Sequence, residues 1–269
     1  MPQPVALLLR QSLSLKTEVL DCLSDPAPNH VHHLRSKIRR IEATLELLAL
    51  SASLPDLHKE AKPLTKLLTR IRRAAGKVRD LDVHLDLLKK YRRNDDTARL
   101  EKDLASARKK NAAKLCDLLE KDRLKVDREF DRLQIALEPA LNLAIGGDAL
   151  EDLAQRWFAF ALHGLDHRKD KHLHTIRKVS KTARYLAEIG AETSKAAARS
   201  ASRFERTQQA LGKWHDSLLL GEEASASLGK HARTTQQIQS DTQRLRQRAI
   251  PTTKHLPKAT RIAPRYLLH

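Results

Sequence analysis

The run Val31-His32-His33-Leu34-Arg35-Ser36-Lys37-Ile38-Arg39-Arg40-Ile41 carries two registers at once. Val31, Leu34, Ile38, Ile41, Leu45 and Leu48 recur at gaps of three and four, the spacing that gathers side chains on one face of an α-helix. One position further on, His32, Arg35 and Arg39 repeat those gaps, so a row of bases stands beside the apolar seam. Successive rungs lie about one 5.4 Å turn apart, close enough to share one extended polyanion. Their mutual repulsion makes the row a poor thing to build without one. A charge run on a helix is more often a solvated face. A second copy weighs against that reading: Leu173-His174-Thr175-Ile176-Arg177-Lys178-Val179-Ser180-Lys181-Thr182-Ala183-Arg184-Tyr185 again opens apolar-His and spaces His174, Arg177, Lys181 and Arg184 at three and four. Two such rows in one chain suggest a duplication.

Two more segments complete a pattern, Gly76-Lys77-Val78-Arg79-Asp80-Leu81-Asp82-Val83 and Gln208-Gln209-Ala210-Leu211-Gly212-Lys213-Trp214-His215-Asp216. With the two rows, in this order and spacing, they resemble the four signature segments of the CHAD family, the conserved histidine α-helical domain. The resemblance covers roughly residues 26 to 250. It implies two antiparallel bundles of four-helix type, related by a pseudo-twofold, with the signature helices around a basic central channel. It also implies inorganic polyphosphate as the ligand and association with polyphosphate granules. Glu42 departs from the pattern, standing where a further base often follows the Arg39-Arg40 pair. His215 departs too, holding before Asp216 the place that Arg79 holds before Asp80.

Lys and Arg number 51 against 33 Asp and Glu in 269 residues, a formal charge of +18 with a pI near 10.1. That excess points to an acidic partner: nucleic acid, an anionic membrane or a free polyanion. The length suffices for a substantial core without metal or disulfide staples. Cys22 and Cys116 lie far apart among apolar neighbours and read as small core residues in a reducing compartment. The apolar run Val5-Ala6-Leu7-Leu8-Leu9 is too short for a signal sequence, and no stretch of 18 apolar residues follows. The expectation is a soluble cytoplasmic protein without membrane insertion.

Taken in order, residues 5 to 23 form a first helix closed by Asp25-Pro26-Ala27-Pro28, and Asn29 is the expected cap of the ladder helix, which ends in Ser51-Ala52-Ser53-Leu54-Pro55. Residues 55 to 93 are helical with a break or restart expected at Pro63, and Asn94 starts a long helix over 97 to 137. Gly146-Gly147 divides the halves, with Asp148 expected to cap the next helix and Trp157, Phe158 and Phe160 expected in the core. Residues 149 to 189 are helical with a break near Asp170, and Gly221 to Gly229 separates the last two helices, 196 to 220 and 229 to 248. No period-two alternation reaches strand length. The chain is therefore read as all-α, one domain over residues 1–250 made of two helical repeats, about 1–145 and 146–250. Pro251, Pro257 and Pro264 make residues 251–269 an extended basic tail.

The leading function is non-catalytic binding of a linear phosphate polymer, with Arg forks and Lys ammoniums on the phosphate oxygens. The candidate contacts are His32, Arg35, Arg39, Arg40, Arg72, Arg79, His174, Arg177, Lys178, Lys181 and Arg184, Arg79 entering through the resemblance. If His32 and His174 touch phosphate, affinity rises as pH drops through the neutral range. The alternative is nonspecific nucleic-acid binding at low salt, although aromatics interleaved among bases for stacking are lacking. His163 and His167 lack the Glu of a zinc-protease motif, His30 and His32 cannot share a helical face, and there is no Walker loop or Glu-x-Glu-x-Lys signature. No metal, cofactor or catalytic residue is assigned.

Overall fold

The computed structural model describes residues 1–50, 57–258 and 260, and among them are eight α-helices, two short 3-10 turns and no strand. The all-α reading holds. Helix α1 spans Pro4–Ser24, and α2 spans Pro28–Ala49 with Pro28 in the first turn, where its missing N–H is not needed. The cap position falls on Ala27, so Asn29 lies inside the first turn and caps nothing. The expected end of this helix at Ser51 to Pro55 is outside the described residues.

Helix α3 spans Leu57–Leu88 and runs through Pro63 without the expected break. Pro63 leaves the Lys59 carbonyl without its helical partner, a loss that costs little at a residue exposed to solvent. Helix α4 spans Asp95–Leu137, 43 residues or about 65 Å. Asn94 and Thr97 cap it reciprocally, each side chain taking the other's backbone N–H at 2.8 and 2.9 Å.

The second half consists of α5 at Gly147–Ala161, α6 at Asp170–Gly190, α7 at Lys195–Leu228 and α8 at Arg233–Ala249. Three expectations fail here. Asp148 does not cap α5; its carboxylate accepts from the hydroxyl of Ser194, which caps α7. Gly221 is not in a linker but buried within α7, where Ile238 of α8 packs 3.5 Å from the position a Cβ would take. The tail is not extended at its start: Ile250–His255 forms a 3-10 turn tied to α7 by the Thr207 hydroxyl on the Thr252 carbonyl at 3.1 Å. Leu256 is buried, and the Thr260 N–H reaches the Ala159 carbonyl at 2.9 Å; residues 261–269 are outside the described residues.

The core has three parts. Helices α1 to α4 enclose the first, to which α2 gives Val31, Leu34, Ile38, Ile41, Leu45 and Leu48, all at most 5 % exposed. Helices α5 to α8 enclose the second around Phe158, Phe204 and Trp214. Ala43 and Leu47 of α2, and Leu50 at its C-terminal cap, also belong to the second. The third joins Leu81, Leu88, Leu100 and Leu104 of α3 and α4 to Leu220, Ala224 and Ile238 of α7 and α8. Phe158 is buried as expected, but Trp157 is half-buried with its indole N–H on Glu46 at 3.0 Å, and Phe160 is exposed. Cys22 is buried and Cys116 half-buried, both as free thiols.

The row His32, Arg35, Arg39 continues at the same helical spacing into Ala43, Leu47 and Leu50. One stripe of α2 is thus basic over its first turns and apolar over its last. The apolar part docks on the second half, which brings the basic part up against α6.

Candidate polyanion site

The two rows face each other. Arg35 feels the charge of Arg177, Lys181 feels Arg39 and Arg35, and Arg40 bonds Glu188 at 2.6 Å. The partners follow the same order along both helices, so α2 and α6 run in the same sense where they meet.

Each row rests on a glycine of the neighbouring helix. A Cβ at Gly76 of α3 would stand 3.5 Å from Arg35 Nε, and one at Gly212 of α7 would stand 3.7 Å from Arg177 Nε. Four residues beyond each glycine a carboxylate meets the same arginine: Asp80 is 4.0 Å from Arg35 and Asp216 is 3.2 Å from Arg177. The missing side chain lets the guanidinium lie against the helix, and the aspartate one turn on orients it. Asp80 and Asp82 stand on the same helix as Arg79, where a charge network within the helix would be the simple arrangement. Instead Asp80 turns to Arg35, and Asp82 takes Arg108 of α4 at 2.8 Å. The available signal was Gly-x-x-x-Asp, present in both halves.

Carboxylates do not neutralise the site. Arg35 Nε and Arg39 Nε are buried donors with no hydrogen-bond partner among the described residues, and the Nδ1 atom of His174 is likewise buried and unpartnered. Burial, then the charges of Arg39, Arg35, Arg177 and Arg184, push the Lys181 ammonium down to about 6. Burial and Arg35 bring Arg39 to about 10, and burial lowers Arg35 itself against the pull of Asp80. Burial, then His215, Lys178 and Arg177, push His174 down to about 4. Its ring stacks on that of His215 with centroids 4.4 Å apart. His32 is lowered by burial and then by Arg79, which puts Arg79 beside the head of the first row. Burial works to raise Asp216, yet His215 at 3.7 Å and Arg177 at 3.2 Å outweigh it and hold the carboxyl below its ordinary range.

Of the eleven candidates, seven come together here: His32, Arg35, Arg39, Arg79, His174, Arg177 and Lys181. The other four sit at its border. Arg72 holds Glu42 at 2.7 Å while its charge reaches Arg35 and Arg39. Arg40 and Arg184 share Glu188 and the ring of Tyr185, at 4.9 and 4.7 Å from its centroid, and Arg184 also bonds Glu205 at 3.0 Å. Lys178 is exposed. Glu42 explains its own departure from the base pattern. In the first half the pair runs from Glu42 on α2 to Arg72 on α3; in the second, from Arg184 on α6 to Glu205 on α7. The polarity is reversed and the bond kept.

A family model described as the CHAD domain matches residues 6–225. The chain belongs to the CHAD domain family. Among solved structures, the CHAD domain from the plant Ricinus communis superposes with a TM-score of 0.69 at 16 % identity, covering 94 % of this chain and 90 % of that one. At that identity the likeness concerns the CHAD fold. No curated protein matches the chain. Among the described residues of this CHAD domain, no group of three or more His, Cys, Asp or Glu is placed to hold a metal ion. No described helix is long and apolar enough to cross a membrane.

Proposed function

We propose that the chain binds inorganic polyphosphate between the α2 and α6 rows and does not cleave it. The observation that carries this reading is the pair of buried, unpartnered guanidinium donors, Arg35 Nε and Arg39 Nε, set among cations that depress one another's protonation. An unsatisfied buried donor costs about 1–3 kcal/mol, more when it is charged. A run of phosphates supplies acceptor oxygens at every rung and the missing negative charge. Membership of the CHAD family supports the same ligand and, with it, a channel between the halves and residence on cytoplasmic polyphosphate granules.

Titration with long-chain polyphosphate over a salt series tests the reading. The logarithm of the association constant falls linearly with the logarithm of salt, with a slope of about −0.7 per neutralised charge if the polymer behaves as a single strand. Arg35→Ala with Arg39→Ala, and Arg177→Ala with Lys181→Ala, each weaken binding by about a hundredfold, as expected for the loss of two charged hydrogen bonds. Full affinity in either double variant rejects a site shared by the rows. RNA or duplex DNA displacing polyphosphate at equal phosphate concentration and physiological salt would assign the +18 charge to nucleic acid instead. Orthophosphate released by the pure protein with Mg²⁺ or Mn²⁺ would overturn the non-catalytic part.

A further inference from the structure

Lys181 is an amine among guanidiniums. It lies on α6 between Arg177 and Arg184 and faces Arg35 and Arg39 of α2. The carboxylates around the site are engaged elsewhere: Asp80 by Arg35, Asp216 by Arg177, Glu42 by Arg72, Glu188 by Arg40 and Arg184, and Glu205 by Arg184. Among the described residues no carboxylate or other acceptor pairs with the Lys181 ammonium, and the residue is only partly buried. A guanidinium holds its proton under such crowding; an ammonium sheds it. The result is a neutral amine, and so a nucleophile, beside groups suited to gripping a phosphate.

We propose that Lys181 is a modification site for small acyl phosphates, whose phosphate docks on the ladder guanidiniums and whose acyl group passes to the amine. The Nζ lone pair attacks the carbonyl carbon and forms the C–N bond. The bond from that carbon to the bridging oxygen breaks, orthophosphate leaves with the electron pair, and the proton shed by Nζ goes to water. Nothing is oxidised or reduced. Guanidiniums placed against the departing phosphate favour the step by taking up its growing charge. The product is an uncharged amide in the middle of the second row, so acylation and polymer binding exclude each other. This inference rests on the ladder holding phosphate groups.

The test exposes the full chain to acetyl phosphate at pH 7.5 and follows acetylation at every lysine by mass spectrometry. An exposed lysine is about one part in a thousand neutral at that pH. After allowing for the weaker nucleophilicity of a less basic amine, Lys181 should still lead exposed Lys178 and Lys213 by about tenfold. Acetic anhydride, which brings the same acyl group without a phosphate, shares the gain from the neutral amine but not the gain from docking, so the lead of Lys181 should be several-fold smaller with it, and polyphosphate added first should protect Lys181 from acetyl phosphate. Prior acetyl phosphate treatment should weaken polyphosphate binding by the wild-type chain and leave Lys181→Arg unaffected. Modification of exposed lysines ahead of Lys181, with polyphosphate binding intact, overturns this inference alone. Selective acetylation in a chain that does not bind polyphosphate upholds it and overturns the polymer reading.

Discussion

In the proposed complex, a phosphate chain between the rows would give back to Lys181 the charge it surrenders in the free protein. The bound value therefore lies above the free value of about 6, and binding takes up a proton from pH 6 upward. Affinity falls as pH rises through that window. Calorimetry in buffers of different ionisation enthalpy should register the uptake at pH 7.5, and Lys181→Arg should abolish it. His174 starts lower, at about 4, and is neutral throughout this range, so His174→Gln should leave the slope between pH 6 and 8 in place. An unchanged slope in Lys181→Arg would return the pH dependence to the histidines. For stability the sign is set by the depressed folded value. Between about 6 and the ordinary lysine value of 10.5 the unfolded chain holds more protons, so the free fold gains stability as pH rises and loses it toward pH 6. Lys181→Met removes the burden and should stabilise the free protein at pH 7 by about 0.5–2 kcal/mol while weakening polyphosphate binding. Thermal melts with and without polymer give both readings.

At the scale of elements, two glycines that look alike in the sequence have opposite tolerances. A Cβ at Gly76 would meet Arg35 Nε at 3.5 Å, an ordinary contact, and a helical glycine is about 1 kcal/mol worse than alanine. Gly76→Ala should be neutral or stabilising and keep the site. A Cβ at Gly190 would stand 2.8 Å from the Gly147 carbonyl, where the end of α6 crosses the start of α5. Gly190→Ala should therefore lose about 1–3 kcal/mol, seen as a lower denaturation midpoint with unchanged slope. Helix periodicity was legible because every turn of α2 and α6 buries one flank: the seam from Val31 to Leu48 was read directly from its spacing. What escaped depends on neighbours. Nothing local in the sequence distinguishes Gly221, pressed against α8, from a linker. Pro63 was read as a break because its lost hydrogen bond was counted without the solvent exposure of Lys59.

For the whole molecule, the site depends on how the halves are set against one another. Helical spacing reveals each row but not that the rows meet, because that follows from the docking of Ala43, Leu47 and Leu50 in the second core. The signal lay in the stripe itself, where bases give way to apolar residues at the same spacing. The third core, shared by α3, α4, α7 and α8, adds a second joint. With α2 in two cores and four helices in the third, a cut between the halves leaves the second and third cores incomplete, and thermal unfolding should be one cooperative transition. The alignment of the rows should then be sensitive to a residue that carries no charge and touches no ligand. Leu47 is fully buried in the second core, and Leu47→Ala should destabilise by about 2–5 kcal/mol. Leu8, equally enclosed in the first core alone, provides a comparison of similar cost. At a temperature where both variants remain folded, Leu47→Ala should weaken polyphosphate binding and Leu8→Ala should not, since only the former loosens the joint that holds α2 against α6. Equal affinities in a titration at matched folded fraction would mean that the two rows keep their register without this contact.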